Sequence, residues 1–371
     1  MFGEKFWRAN LSTNTYLINI AYTLMKHNNF WGKLKNNKKP FFCLAPMADV
    51  TDAPFRQIIA KYSKFTRNGE DRGGPDVTWT EMVSCDGFVR KDLLAYRKQG
   101  DVGGFPQTVQ ERLALSFIYD EIERPIVAQV FGGDPKTFYE TAVYLSELGF
   151  DGIDINMGCP DHGINKQNAG ANLIKSPELA KEIIKATKEG AGGIPVSVKT
   201  RIGYNKNEID TWIPNLLEAE PAALTIHGRT RKEMSKVPAH WDQIAKCVEM
   251  AKGSNTVIIG NGDVKSLEEG RQRAEESGVD GIMIGRGIFG NPWLFNDKIK
   301  KEELPIKEVL KVLLEHTRLF EKILGSKKPF VLMRKHFGSY VTGFEGAKEL
   351  RMKLMETESA DDVDNIISQF L

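Results

Sequence analysis

Eight short runs of β-branched and apolar residues recur along the chain after residue 40, and helix signals separate them. Eight strand–helix units over roughly 250 residues match a (β/α)8 barrel in count and in length. An open doubly wound sheet usually has fewer strands and often carries G-x-G-x-x-G after the first, a fingerprint that does not follow the first run here. We therefore predict a TIM barrel, of the α/β class, with strands at Phe41–Ala45, Val77–Glu81, Ile126–Phe131, Gly152–Asn156, Val196–Thr200, Ala223–His227, Thr256–Gly260 and Gly281–Gly285.

Helix start signals lie between the predicted strands. Ser176-Pro177 places a preferred N-cap residue before a proline at the first helical position. Ser266 to Glu269 has the spacing of a capping box, and Asn291-Pro292 predicts a third helix start. Two polar, Gly-containing stretches, Thr66–Asp76 and Gly100–Gln110, predict long loops, the first of them a mobile surface loop.

The chain divides into three predicted parts. Residues 1–40 form an acid-poor extension ending in a basic cluster, for which we predict a helical or flexible segment, a transit peptide being the alternative. Residues 41–301 hold the barrel. From residue 302 the strand alternation stops, and a small all-helical domain, 302–371, is predicted from helical periodicity at Val309–Leu324, Ala347–Met355 and Ser359–Leu371.

Composition narrows the function classes. The net charge is +2, so any contact with nucleic acid must come from local patches. The four cysteines lack C-x-x-C spacing, which argues against a zinc site or a disulfide framework and suits a reducing cytoplasm. No apolar run approaches the roughly 20 residues that a membrane-spanning helix needs. We therefore predict a cytoplasmic protein with no metal site and no membrane association.

Two Gly-rich turns follow the seventh and eighth predicted strands. They are Gly260-Asn261-Gly262-Asp263 and Gly285-Arg286-Gly287. In a barrel of this kind the loops after strands 7 and 8 frequently bind phosphate through backbone N–H groups. Each turn alone could serve only as a tight connection, but the two together, with Arg286, favour a phosphate site.

Other strand ends carry side chains suited to a ligand site. Lys199 lies on an alternating strand, where an inward lysine is costly unless it meets an anion or a ligand. Gln129 and His227 end neighbouring strands. Cys159 follows the fourth strand, and the spacing alone leaves a reactive thiol and a buried packing cysteine as equal alternatives. The set predicts a phosphorylated cofactor with proton chemistry above it.

Seven motifs, in order along the chain, resemble those of the tRNA-dihydrouridine synthases, from about residue 41 to the end. A further basic group, Arg334-Lys335-His336, with Gly346-Ala347 and Leu350-Arg351, resembles that family's helical RNA-binding domain. By itself such a basic cluster is ordinarily a solvated face. The seven motifs are Leu44 to Arg56 (LAPMADVTDAPFR), Asp154 to Pro160 (DINMGCP), Gly170 to Leu173 (GANL), Val198 to Gly203 (VKTRIG), His227 to Thr230 (HGRT), Gly260 to Asp263 (GNGD) and Gly285 to Gly287 (GRG).

The resemblance implies a reaction and its residues. It implies FMN in the barrel mouth, reduction of FMN by NADPH, and hydride transfer to C6 of a tRNA uridine, with Cys159 as the acid that protonates C5. It implies tRNA contact through Asn156, Arg201, Arg229, Arg334, Lys335 and His336. It implies FMN contact through Pro46, Met47, Gln129, Lys199, His227, Asn261, Gly262, Asp263, Gly285 and Arg286.

Departures from the family pattern and alternatives remain open. Asp161-His162, after Cys159-Pro160, places an acidic residue where the family often has a small or basic pair. One alternative is a flavin barrel similar to dihydroorotate dehydrogenase that acts on a free pyrimidine, and it would leave the helical tail unexplained. Another is a non-catalytic RNA-binding protein. We predict a monomer, and no motif indicates which uridine is reduced.

Overall fold

The computed structural model describes residues 30–36, 40–67, 70–89 and 109–371. Within them, eight parallel strands form the barrel, and a two-residue strand, Val83–Ser84, also pairs in parallel with Ile126–Phe131. Each neighbouring pair is parallel and follows chain order. The second strand pairs with the first (Cys43 with Val77) and with the third (Thr78 with Ile126), which closes the sheet into the predicted barrel. The strands are Phe41–Leu44 (β1), Val77–Trp79 (β2), Ile126–Phe131 (β3), Gly152–Met157 (β4), Val196–Arg201 (β5), Ala223–His227 (β6), Val257–Asn261 (β7) and Gly281–Ile284 (β8).

Helices cover the outside of the barrel. Most connect consecutive strands, as the alternation of signals predicts. They are Phe30–Lys35 (α1), Ala53–Ser63 (α2), Cys85–Val89 (α3), Val109–Ala114 (α4), Pro135–Glu147 (α5), His162–Lys166 (α6), Pro177–Gly190 (α7), Ile209–Glu218 (α8), Trp241–Met250 (α9) and Leu267–Ser277 (α10).

The helix start signals have three outcomes. Pro177 does open α7, but Ser176 makes no side-chain cap hydrogen bond. Ser266 caps α10 by accepting from the N–H of Glu269, whose carboxylate accepts from the N–H of Lys265 and so closes no capping box. The prediction of a helix at Asn291-Pro292 is wrong: the segment forms turns, and the Pro292 carbonyl accepts from the hydroxyl of Ser63 instead of starting a helical ladder.

The predicted loop at Thr66–Asp76 is in large part a hairpin. Lys64–Arg67 pairs antiparallel with Glu70–Gly73, and residues 68–69 lie outside the described part of the chain. Gly74 and Pro75 are buried, and the Asp76 carboxylate accepts from the N–H of Phe42 at 2.7 Å. Polar and glycine-rich composition therefore concealed a short β structure anchored to β1. Of the second predicted loop, 100–108 lies outside the described residues, and α4 begins at Val109.

Large side chains fill the barrel, and α1 packs against its amino-terminal end. The ring centre of the buried Trp79 lies 5.9 Å from that of Trp31, which also packs on Phe41 at 6.2 Å. The barrel interior is therefore a packed core, and in this fold ligands bind beyond the carboxyl ends of the strands. Residues 1–29 and 37–39 of the N-terminal extension lie outside the described residues, and the helical or flexible character expected there stays a prediction.

Four further helices follow the barrel and share a second hydrophobic core. Their buried side chains include Leu313, Phe320, Phe337 and Tyr340, which pack with Ile58 of α2 and with Trp293. A helical segment after the barrel is therefore confirmed, whereas the division at residue 302 stays a prediction. These helices are Ile306–Leu324 (α11), Arg334–Tyr340 (α12), Ala347–Leu354 (α13) and Ala360–Phe370 (α14).

The described residues contain no helix that is both long enough and apolar enough to cross a membrane.

Candidate active site

A cavity of about 690 Å³ opens at the carboxyl ends of the strands. Its size falls in the range of small-molecule and cofactor sites. Residues from five of the seven motifs line it, so the fold gathers groups up to 240 positions apart in sequence. Among the predicted site residues, those that line the cavity are Pro46, Met47, Lys199, Arg201, His227, Arg229, Asn261, Gly262, Asp263, Gly285 and Arg286.

The Gly-rich turns after β7 and β8 present unpaired backbone donors to this cavity. In the described part of the chain, the N–H groups of Asp263, Val264, Arg286 and Gly287 have no hydrogen-bond acceptor. Gly262 is at φ 139°, and a Cβ there would lie 2.6 Å from the Cβ of Ala239, so the turn requires glycine. Unpaired N–H groups beside an arginine are what an anion such as phosphate needs.

Asp263 and Arg229 are occupied with each other. The Arg229 guanidinium is 3% exposed and donates to the Asp263 carboxylate at 2.5 Å and to the Val237 carbonyl at 2.5 Å. Asp263 also accepts from the N–H of Ala239. Burial alone would raise the pKa of Asp263, but these hydrogen-bond donors outweigh it, and the pKa is lowered. Asp263 therefore serves to hold Arg229, and its negative charge would disfavour direct contact with a phosphate. Arg229 has few donors left for a substrate.

His227 is neutral and its tautomer is fixed. Burial, followed by the charges of Arg201, Lys199, Arg229 and Arg286, holds the pKa of His227 well below its usual range. Its Nε2 lies 3.2 Å from Nη1 of Arg229, and a guanidinium can only donate. Nε2 therefore accepts, the proton is on Nδ1, and the ring can offer that donor to a ligand in the cavity.

Lys199 lines the cavity, and no carboxylate of the described residues lies within 4.0 Å of its Nζ. Its Nζ donates to Oδ1 of Asn261 at 3.3 Å, and the Asn261 amide donates to the Met283 carbonyl. Burial and the charge of Arg201 lower the pKa of Lys199 to about 8. Lys199 therefore remains mostly charged at neutral pH, and an anionic ligand beside this ammonium would raise its pKa again.

Arg201 ties two loops together. Its Nε donates to the Gly158 carbonyl at 2.7 Å, and its Nη1 donates to the carbonyls of Thr230 and Met234. Burial lowers the pKa of Arg201 to about 10, so the guanidinium stays charged at neutral pH. The predicted substrate contact of Arg201 therefore competes with three backbone carbonyls that already accept from it.

Cys159 is the only one of the four cysteines, all of them within the described residues, that is not buried. It lies on the turn after β4, one residue from the Gly158 carbonyl that Arg201 holds. Burial raises the pKa of the Cys159 thiol above its usual value, against the opposing effects of the Asp161 N–H and the nearby cations. The thiol is therefore protonated at neutral pH, which is the state a proton donor requires.

A chain of hydrogen bonds, in which every donor points toward the barrel interior, connects the Cys159 turn to Asp154. The buried carboxylate of Asp154 accepts from Nε2 of Gln129 at 2.7 Å, and Oε1 of Gln129 accepts from Nδ2 of Asn156 at 3.0 Å. Oδ1 of Asn156 accepts from the N–H groups of Gly158 and Cys159 at 3.0 and 2.9 Å. Asn156 was predicted as a substrate contact and Gln129 as a cofactor contact. In the structure the two amides hold each other, and Asn156 also holds the Cys159 turn.

Asp154 was missed by the sequence reasoning. It is fully buried, accepts from Ser197 at 2.6 Å as well as from Gln129, and burial raises its pKa to about 6. The signal was present in the alternation of β4, where Asp154 shares a strand face with Asn156. A carboxylate on an inward strand position needs partners, and here it fixes the orientation of an amide.

The structure separates the three residues of the predicted RNA patch. His336 is 4% exposed, with its ring stacked on Phe55 at 5.3 Å between ring centres and 4.9 Å from His316. Interior packing therefore removes His336 from any surface that RNA could touch, and the predicted contact is corrected. Arg334 is half-buried and donates to the Thr357 carbonyl at 2.9 Å, while Lys335 is exposed.

Comparisons with known proteins cover almost the whole chain. A family model described as dihydrouridine synthase (Dus) matches residues 43–371. A probable tRNA-dihydrouridine synthase of Staphylococcus aureus (strain MRSA252) is 40% identical over 346 residues, which are 92% of this chain and 95% of that protein. Probable tRNA-dihydrouridine synthase 2 of Bacillus subtilis (strain 168) is 38% identical over the same length, 92% of this chain and 96% of that protein.

Solved structures resemble the chain more distantly. Morphinone reductase in complex with tetrahydroNAD has a TM-score of 0.44 at 13% identity, covering 71% of this chain and 87% of that one. Histamine dehydrogenase from Rhizobium sp. 4-9 has a TM-score of 0.48 at 13% identity, covering 78% and 51%. Similarity at this level carries no argument about chemistry.

Proposed function

The chain belongs to the dihydrouridine synthase family, and on this basis we propose that it reduces the C5–C6 double bond of specific uridines in tRNA. The proposal includes FMN as the cofactor and NADPH as the reductant. The observation that carries it is the protonated thiol of Cys159, held on a hydrogen-bonded turn beside a cavity suited to an anionic ligand.

The residues around the cavity fit a flavin mononucleotide. Its phosphate matches the unpaired N–H groups of the two Gly-rich turns and the side chain of Arg286, and Lys199 offers a second positive charge. Asp263 would contribute indirectly, by holding Arg229. The residues that would hold the cofactor are Pro46, Met47, Gln129, Lys199, His227, Asn261, Gly262, Gly285 and Arg286.

Bound FMN would supply the hydride that adds to C6 of the uracil. The addition leaves an electron pair on C5, delocalised toward O4, and the Cys159 thiol gives its proton to C5. The S–H bond breaks, a C–H bond forms, and the thiolate recovers a proton from water. A positioned acid of this kind contributes roughly 10²- to 10⁴-fold to the rate. Arg201 and Asn156 both hydrogen-bond to the backbone of the turn, so the proton is delivered from a defined position.

The target base must leave its stack before it can enter the cavity. Unstacking costs a few kcal/mol, which phosphate contacts at the protein surface would offset. We propose that residues 302–371 form the tRNA-binding domain, with Arg334 and Lys335 among its contacts, and that the protein acts as a cytoplasmic monomer.

A direct test incubates the purified protein with NADPH and an unmodified tRNA transcript, and maps dihydrouridine by mass spectrometry. Dihydrouridine at one position would support the reaction and identify the site. The Cys159→Ala variant should keep its flavin absorbance and lose 10²-fold or more of its turnover. Cys247→Ala, in a buried cysteine of α9, is the matched control and should retain turnover.

Two results would contradict the proposal. Wild-type turnover in Cys159→Ala would remove the thiol from the acid role. A yellow protein that oxidises NADPH, leaves tRNA unchanged and reduces a free pyrimidine would replace the proposed substrate.

A further inference from the structure

Three loops at the barrel rim bring two cations onto one aromatic ring. Nζ of Lys175, which ends the turn Gly170–Lys175 after β4, lies 3.6 Å from the ring centre of Tyr204, after β5. The guanidinium carbon of Arg231, after β6, lies 5.1 Å from the same ring centre. The N–H of Arg231 donates to the Gly203 carbonyl at 2.9 Å, which fixes the two later loops to each other. We name Lys175, Tyr204 and Arg231 the rim cluster.

The rim cluster has positive charge that the described residues do not neutralise. Neither Lys175 nor Arg231 lies within 4.0 Å of a carboxylate there, and Nε of Arg231 is buried without a hydrogen-bond partner. The carboxylates on the same loops are engaged elsewhere: Glu208 accepts from the N–H of Tyr204, and Glu233 accepts from the N–H of Thr230 and pairs with His240. Exposed Lys232 and Lys236 follow on the same loop and add to the charge.

The rim cluster is directly connected to the Cys159 turn. On one side, the turn that ends at Lys175 begins beside Cys159, whose carbonyl accepts from the N–H of Ala171 at 3.1 Å. On the other, Arg201 bridges the Gly158 carbonyl and the Thr230 carbonyl, next to Arg231. A group bound at the rim cluster therefore lies at the edge of the reaction site, on the exposed side of the loops.

We propose that the rim cluster binds the phosphate backbone of the RNA strand beside the uridine that is reduced. The proposal rests on the proposed function, in which one nucleotide must be held out of its stack. Lysine and arginine are the usual partners of phosphate, and the Tyr204 ring holds both side chains in place by cation–π attraction. An extended polyanion can contact Lys175, Arg231 and Lys232 together, whereas the cavity already has Lys199 and Arg286 for a cofactor phosphate.

The test measures the salt dependence of tRNA binding. Each lost phosphate contact on a single strand lowers the slope of log affinity against log salt by about 0.7. The Lys175→Ala/Arg231→Ala double variant should therefore lose about 1.4 from the slope and bind an unmodified transcript about tenfold more weakly at low salt. Lys181→Ala, whose lysine pairs with Glu178 and Glu218 on the outer helix α7, is the control and should keep the wild-type slope.

Other outcomes decide between phosphate sources. The KM for NADPH, followed by flavin reduction without tRNA, should not change in the double variant. An unchanged slope would overturn the proposal. If the KM for NADPH rises while the slope stays unchanged, the rim cluster binds the phosphates of the reductant instead. Lys175→Gln, at an exposed side chain, provides a variant that folds, and it should show about half of the slope change.

The binding assay is independent of turnover. If the wild type binds tRNA but forms no dihydrouridine, the proposed reaction fails. The comparison of slopes still supports or refutes the rim cluster in that case.

Discussion

The hydrogen-bond direction of the Asp154–Gln129–Asn156 chain predicts that two isosteric substitutions differ strongly. In Asn156→Asp, an oxygen replaces the Nδ2 that donates to Gln129 Oε1 at 3.0 Å, so two acceptors face each other. Rotation of the Gln129 amide would only move the conflict to Asp154, which now accepts from it at 2.7 Å. The substitution therefore leaves one oxygen of a nearly buried carboxylate without a donor, while the other oxygen still accepts from the N–H groups of Gly158 and Cys159.

The magnitude follows from the lost bond and has an upper limit. Losing the bond and leaving a buried acceptor unsatisfied costs roughly 2–4 kcal/mol. The new carboxyl can avoid this cost by taking up a proton, and protonation costs about 1.4 kcal/mol for each pH unit above the usual pKa of about 3.9. At pH 7 the loss of stability therefore cannot exceed about 4 kcal/mol. A protonated carboxyl donates again to Gln129. A loss of about 2–4 kcal/mol corresponds to a folded-state pKa of roughly 5.4–6.8 for the new carboxyl, so the defect should shrink as the pH falls from 7.5 to about 5.

Asp154→Asn should be much milder. The new amide can keep its oxygen toward Gln129 and turn its nitrogen toward Ser197, whose hydroxyl accepts as readily as it donates. Urea unfolding at pH 7.5 gives the free energy of unfolding of both variants. We expect a loss of about 2–4 kcal/mol for Asn156→Asp and below about 1 kcal/mol for Asp154→Asn. Equal losses, or an Asn156→Asp defect that ignores pH, would refute the assigned direction of the chain.

Two further predictions concern stability. Arg56→Ala breaks an ion pair with Glu123 in which both side chains are 0% exposed, and it should lower the free energy of unfolding in urea by about 3–5 kcal/mol. Lys61→Ala, at an exposed pair, should lower it by about 0–1 kcal/mol. Similar losses in the two variants would contradict this. Burial raises the pKa of Asp154 from 3.8 to about 6, so the folded state holds this proton more tightly than the unfolded chain does. As the pH rises from 4 to 6, wild-type stability should therefore fall by up to about 1.4 kcal/mol per pH unit relative to Asp154→Asn. Parallel pH profiles of the two proteins would argue against this assignment.

The sequence determined the architecture and the place of the chemistry. Buried parallel strands are short apolar runs that recur at regular intervals, and this signal is local, so all eight strands were predicted to within a few residues. The topology then dictates that residues just after the strands meet at one end of the barrel. The sequence therefore predicts a common site for Cys159 and the glycines of the last two turns.

Only the tertiary structure decided which groups those residues face. The family resemblance implied a substrate contact for Arg229, but its partner, Asp263, lies 34 residues away. His336 belongs to a basic group in the sequence, yet packing against Phe55 of α2 places it in the interior. The free energy of a polar side chain depends on the donors, acceptors and apolar surface around it, and these come from distant parts of the chain. Local pattern thus defines the site, and long-range packing determines which of its side chains remain free to bind.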